Sequence, residues 1–469
     1  MSRSSKLVKN SFVFFIGNFA SKLLSFFLLP LYTHYLTNSV YGEFDIFINI
    51  LAIAYCVVSF QSIEVVYRYV QDCKTEEDFQ SVITNSFIIS VAGISCFALL
   101  MFLLNLLFGF EYWLVFILYT SSNIFAQFCQ QCIRGLNRTI LYSSVGVLAT
   151  LAQVLFNVIF IVCLNMGGVS MLWAHVGTFI IICIAILLRC NLLRYITLKA
   201  YSPKVVKEQL KYGLPLMPNA LCLWGISSLG RYLLLLFYTT AAVGILAFSS
   251  KFSLLLGVVN SVFFLAWQQS AISEYNSSDR DEYASSVFDA FVKLQITGIC
   301  VILPMIKVLI FSIMGSTYQE GWIYVPLFFI GIMFNAFANF VSMGFFGAKQ
   351  TKSVFYASFL GILVYISVGY FGAKYLYITG VGIAYILSQL VYFIVMKFKG
   401  AKYMKVNIHY KSHLGIVWVL ICSLVTYYLT NNLFILIGWC ITYSLFGLYF
   451  NKTLLKKLCG MVVTKVKRN

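Results

Sequence analysis

Acidic side chains are scarce in this chain. It carries 15 Asp and Glu against 33 Lys and Arg in 469 residues, and charged residues of both signs make up only 10%. A soluble domain is about 25% charged, so a water-soluble globule is excluded. A disordered chain is excluded too, because 61% of the residues are hydrophobic and mean hydropathy is +0.89. Long polar stretches are missing, which leaves little room for any soluble domain. No G-x-x-x-x-G-K loop occurs, so no ATPase of that type is encoded. The 13 cysteines lie mostly inside apolar runs without regular spacing, which argues against a disulfide scaffold. Cys129-x2-Cys132 has no second pair, and His409-x3-His413 sits in a basic linker. Neither makes a convincing metal site. No catalytic residue, metal or cofactor is therefore expected.

What the chain does have is apolar length. Polar breaks divide it into about fourteen segments: 10–35, 42–69, 80–107, 112–133, 140–165, 169–195, 213–238, 241–272, 285–314, 322–347, 353–376, 380–397, 412–430 and 432–450. A membrane helix needs about 20 apolar residues. These segments are continuously apolar, unlike the alternating strands of a membrane barrel. The expected fold is an all-α integral membrane protein of about fourteen transmembrane helices. Arg3, Lys6 and Lys9 precede the first apolar segment. That segment is too long for a signal-peptide core and reads as a retained first span.

Basic residues fix the expected orientation. With the N-terminus in the cytoplasm, 27 of the 33 Lys and Arg fall at inner ends and loops, and one, Lys374, falls in an outer loop. This is the positive-inside pattern for an even number of spans, with both termini cytoplasmic. It also accounts for the net charge of +18 without nucleic acid, since basic loops face anionic lipid. Asn137 and Asn451 open Asn-x-Thr triplets on the inner side, so glycosylation is not expected. The polar stretch near 198–212 is either an amphipathic surface helix over Lys204–Lys211 or a solvated linker.

Three landmarks recur along the chain. Tyr41-Gly42 matches Val243-Gly244 at an offset of 202. Gly135 to Thr139 matches Gly347 to Thr351, and Gly168-Val169 matches Gly380-Val381, both at 212. The repeat predicts two pseudo-symmetric six-helix lobes plus two C-terminal helices. The lobes are residues 1–197 (spans 1–6) and 213–398 (spans 7–12). A cytoplasmic linker, 198–212, joins them. A basic linker, 399–411, leads to 412–469, which holds spans 13 and 14 and a basic tail. Parallel repeats of this kind frame a central cavity and alternating-access transport.

Five basic residues fall inside spans: Lys22, Arg231, Lys251, Lys293 and Lys307. A charged side chain at the bilayer centre costs roughly 3 kcal/mol or more, so it faces protein or water and is a functional candidate. Asn18 and Lys22 share a helical face with Ser11 and Ser25; Asn219 and Arg231 share one with Ser227. Spans one and seven are equivalent in the repeat, so both stripes are expected to face the cavity and an anionic ligand. Lys251 is a weaker member of the set. Asp289 and Lys293 stand i,i+4 and are expected to neutralise each other, while Lys307 is expected to snorkel outward. Asp45 with Asn49, and Glu64 with Arg68, bracket span two. Asp45 and Glu64 are candidates for binding a coupling proton or sodium ion.

Several stretches resemble one family. They are Ser11 to Tyr32 (SFVFFIGNFASKLLSFFLLPLY), Tyr41 to Asp45 (YGEFD), Leu210 to Asn219 (LKYGLPLMPN) and Phe263 to Ile272 (FFLAWQQSAI), with Val325-Pro326 and Thr379-Gly380. Together they resemble bacterial polysaccharide-export flippases of the multidrug/oligosaccharidyl-lipid/polysaccharide exporter superfamily. The resemblance implies a carrier of undecaprenyl-diphosphate-linked oligosaccharide units from the cytoplasmic to the periplasmic leaflet. It serves O-antigen, capsule or exopolysaccharide synthesis beside a polymerase and other assembly proteins. It also implies cationic residues for the headgroup, with Lys22 in the matching span-one motif. Gly230 departs from the family, where an acidic residue before the Arg is expected. Two rival readings stand beside this one. A drug or cation antiporter of the superfamily would favour buried carboxylates over buried cations. A membrane polysaccharide polymerase needs larger outer loops than this chain has.

Overall fold

The computed structural model describes residues 28–136, 138–273, 277–347, 352–408 and 410–450. Helices dominate, and no strand occurs among the described residues. Eight helices are long and apolar enough to cross a membrane, and three shorter apolar helices accompany them. The chain is a multi-pass, all-α membrane protein, as its composition requires. It forms two compact units, Met1–Ser228 and Leu229–Asn469.

In the first unit a helical turn over 28–35 leads into Asn38–Val58. The expected second span then breaks. Phe60 and Gln61 both take positive φ (47° and 58°), and a separate short helix, Ser62–Val70, follows. Thr75 and Asp78 form a reciprocal capping box on Glu76–Phe108, and Gly109 ends that helix at φ 64°. Trp113–Gly135, Thr139–Asn157 with its π-helical extension Val158–Cys163, and Val169–Cys190 match later expected spans, while most of the expected first span, 10–35, lies outside the described residues.

The 198–212 stretch is neither a loose linker nor a free surface helix. Pro203–Gly213 is helical and docks on Glu76–Phe108. Thr84, Asn85 and Ser86 are fully buried and hold it through the main chain and one glutamine. The Thr84 hydroxyl donates to the Tyr195 carbonyl at 3.0 Å and accepts the Thr197 amide at 3.0 Å. Asn85 donates to the Ala200 carbonyl at 3.0 Å and accepts the Ser202 amide at 2.9 Å. Ser86 donates to Gln209, which donates in turn to the Val82 carbonyl. Three polar residues on an otherwise apolar helix thus satisfy a connecting segment that would otherwise lose its hydrogen bonds on burial.

The second unit holds Thr240–Lys251, Ser253–Ser273, Arg280–Ile313, Val325–Gly347, the stretch Lys352–Gly400, Tyr410–Leu429 and Leu433–Phe450. Lys352–Gly400 is two helices meeting at Tyr377 (φ 57°, ψ −140°), between the spans expected at 353–376 and 380–397. Gly372 and Gly380 flank this break. A Cβ on Gly380 would lie 2.0 Å from the Gly372 carbonyl oxygen, so only glycine fits the turn. Helix lengths repeat between the units. Trp113–Gly135 and Val325–Gly347 are both 23 residues long, and Glu76–Phe108 and Arg280–Ile313 are 33 and 34.

Two sequence expectations fail along Arg280–Ile313, and the failures show how Tyr410–Leu429 is held. Lys307 does not snorkel: it is fully buried. Its ammonium donates to the carbonyls of Tyr427 and Thr430 (2.9 Å to Thr430) and lies 3.7 Å from the centre of the Trp322 ring. Helix Tyr410–Leu429 ends there, and its last carbonyls need donors. A cation at a helix C-terminus and over an aromatic face is favourable, and these contacts offset the cost of burying Lys307. Asp289 does not form the expected pair with Lys293. It reaches His413, with Nε2 to Oδ1 at 2.8 Å and both side chains largely buried. Further back, Asp281 accepts the Lys405 amide at 3.1 Å and Ser285 accepts the Asn407 amide at 2.9 Å. Residues 281, 285 and 289 share a helix face. They form a polar seam that runs to Lys307 and lays the 401–408 segment and the following helix along this one.

Lys307→Met keeps the length of the side chain but leaves two buried carbonyls without their donor. It is expected to destabilise the detergent-purified protein by about 1–3 kcal/mol, read as a lower melting temperature. An unchanged melting temperature would mean that the ammonium does not cap this helix.

Candidate functional site

The expected binding residues fall in three groups. Asn18 and Lys22 lie outside the described residues, as does the side chain of Asn219. Arg231 and Lys251 are half-buried and have partners of their own. Asp45 is buried, and Glu64 is exposed.

Arg231 sits on Met217–Leu235 one turn beyond Ser228 and within electrostatic range of the buried Tyr365 hydroxyl. The residue before it is glycine for a packing reason. A Cβ at Gly230 would stand 2.5 Å from the Tyr365 Oη and 2.5 Å from a Val381 methyl. The helix bearing Arg231 therefore approaches Tyr365 and Val381 closely through bare backbone. An acidic side chain has no space there. Lys251 lies in the last turn of Thr240–Lys251, just before the turn at Phe252, where a cation meets the negative end of the helix.

Asp45 belongs to a polar cluster in the first unit, inside the membrane-spanning part. Asn49 donates to the Asp45 carbonyl at 2.7 Å and to its carboxylate at 3.3 Å. The Asn49 side-chain oxygen accepts Ser228 at 2.5 Å, and its carbonyl accepts the Trp224 indole at 3.0 Å. Asn49 thereby ties Asp45 to Trp224 and Ser228 within the first unit. Trp224, Ser228 and Arg231 follow one another on that helix at steps of four and three, a single stripe. Sequence reasoning placed Ser227 on this face and overlooked Trp224 and Ser228. Glu64 stands apart, in the first turn of Ser62–Val70, where an acid suits the helix N-terminus. Its i,i+4 neighbour Arg68 pairs with Asp72 at 2.6 Å.

His175 also escaped the sequence reading. His175 lies within Val169–Cys190, half-buried, with Nδ1 3.2 Å from the Gln153 amide and 2.8 Å from the Met171 carbonyl. Tyr119, Phe44 and Phe179 surround its ring. An ionisable side chain in an apolar helix was the available signal. Among the described residues no group of three His, Cys, Asp or Glu is arranged to hold a metal ion.

The model of the polysaccharide biosynthesis protein family matches residues 7–268, more than half of the chain. The chain belongs to this family. Solved structures extend the likeness beyond those residues. The lipid II flippase MurJ, in an inward closed conformation, is similar with a TM-score of 0.68 at 15% identity, over 95% of this chain and 99% of that one. A multidrug resistance MATE family transporter of the MOP superfamily is similar in its inward-facing conformation, with a TM-score of 0.64 at 16% identity over 81% and 95%. A multidrug resistance MATE family transporter of the MOP superfamily in an outward-facing conformation gives 0.60 at 19% identity over 84% and 94%. No curated protein matches the chain by sequence. This member of the polysaccharide biosynthesis family therefore has the fold of flippases and multidrug transporters.

Gly230→Ala is expected to lower the melting temperature by forcing Tyr365 and Val381 apart from the helix. Adding Tyr365→Phe should restore part of the loss by removing the hydroxyl in closest contact. Full tolerance of Gly230→Ala would show that the two helices do not approach this closely.

Proposed function

We propose that this chain is a flippase, not an enzyme. It carries undecaprenyl-diphosphate-linked oligosaccharide repeat units from the cytoplasmic to the periplasmic leaflet by alternating access. The reading places it in the cell inner membrane with both termini in the cytoplasm, supplying a polysaccharide polymerase. The observation that carries it is the family match joined to a fold shared with a lipid II flippase along almost the whole chain.

The charge inventory supports the same reading. A diphosphate cannot cross hydrocarbon unaided, because a desolvated anion must be matched by fixed charge or hydrogen bonds. Lys22, Arg231 and Lys251 supply cations within spans, and Asn18 and Asn219 supply amides beside them. Arg231 is suited to grip phosphate through two parallel hydrogen bonds, while the lysines act as point charges. Asp45, held by Asn49, and Glu64 are the proposed acceptors of a coupling proton or sodium ion. The MATE likeness favours a second reading, export of a drug by antiport. The excess of in-span cations over acids weighs against it.

Leaflet exchange of a defined diphospholipid-linked glycan in liposomes, under imposed proton and sodium gradients, tests the proposal. Lys22→Ala or Arg231→Ala should reduce exchange at least about tenfold, the cost of one charged hydrogen bond, while the protein remains in the membrane. Exchange at the full rate in both variants, or drug efflux without glycolipid exchange, would overturn it.

A further inference from the structure

We propose that the groove between Thr139–Asn157 and Val169–Cys190 is a specific site for an anionic membrane phospholipid, with an acyl chain in the groove and the phosphate on Arg189. The groove has a volume of about 500 Å³ and apolar walls made by Ile140, Leu141, Val145, Leu148 and Ala185. Ile140 and Leu148 are well exposed along it. Arg189 is its one charged lining residue.

The pairing of the nearby cations singles out Arg189. Four arginines gather at this end of the helices: Arg134, Arg138, Arg189 and Arg194. Arg134 lies over the Tyr67 ring at 4.2 Å. Arg138 donates to the Cys190 sulfur at 3.3 Å. Arg194 contacts Tyr195 and Glu76. Arg189 is exposed and has no partner among the described residues. An unpaired guanidinium at the mouth of an apolar, lipid-facing groove complements a ligand with one anionic end and one hydrocarbon end. Basic pockets between membrane helices bind acidic lipid headgroups on these terms. Free phosphate would leave the apolar walls unused, and a neutral lipid would leave Arg189 unmatched. The site lies within the first unit and does not depend on the transport reading.

Native mass spectrometry of the intact protein, released from phosphatidylcholine nanodiscs doped with phosphatidylglycerol, tests this. The wild type should retain phosphatidylglycerol in preference to phosphatidylcholine. Arg189→Gln should lower that retention about fivefold, the effect of one basic residue at an anionic lipid surface. Ala185→Phe should lower it by filling the groove, and Arg189→Lys should keep most of it. Equal retention by the wild type and Arg189→Gln overturns the proposal. So does equal retention of the two lipids by the wild type, or displacement of phosphatidylglycerol by a polyprenyl phosphate, which would make the groove a substrate-tail site. Melting temperatures report whether each variant folds. If Ala185→Phe does not, the exposed Arg189→Gln decides the matter.

Discussion

A positive charge inside a hydrocarbon-filled bundle must be met by something other than water, and this demand organises the molecule. Lys307 meets it with two carbonyls at a helix end and the face of Trp322. In the bilayer, a polar group left unmatched is costly. The pairing therefore settles which helix ends can sit beside which side chains. A lysine that looks like an interfacial anchor in the sequence becomes the fitting that closes Tyr410–Leu429.

The same demand explains why the polar connectors are ordered. Thr84, Asn85 and Ser86 receive the segment before Pro203–Gly213, and Asp281, Ser285 and Asp289 receive the one before Tyr410–Leu429. In both places short polar side chains on a long apolar helix bind main-chain groups of a connector. Segments that read as linkers are thereby fixed against their own unit. On the proposed transport reading, the accompanying motion comes from elsewhere than slack in these segments.

The helices were legible in the sequence because apolar length is a composition signal that tertiary packing does not overturn. The breaks were less so. Residues 42–69 read as one span, yet the helix breaks at Phe60 and Gln61, neither of which is glycine or proline. Partners of charged residues were the least legible. Asp289 and Lys293, or Glu64 and Arg68, satisfy the i,i+4 rule, but that rule assumes an isolated helix in water. Inside a bundle, a neighbouring helix offers better-desolvated partners, and His413 outcompetes Lys293 for Asp289. His175 and Trp224 were missed because a single polar group in an apolar helix has no sequence-local partner to reveal it.

On the proposed transport reading, Gly230 and Arg231 bear directly on which headgroup is carried. An acid beside this arginine would neutralise it and leave a site suited to a cation. Here the space for such a side chain is taken by Tyr365 and Val381, through contacts only glycine permits. The backbone approach that brings Met217–Leu235 onto Tyr365 thus removes any acid from the position before the guanidinium. On that proposed reading, a position 230 without a carboxylate suits an anionic headgroup better than a cationic drug. Packing and charge are in this sense one constraint: admitting a carboxylate at position 230 requires loosening the contact with Tyr365 and Val381, so on the proposed reading ligand preference and stability change together.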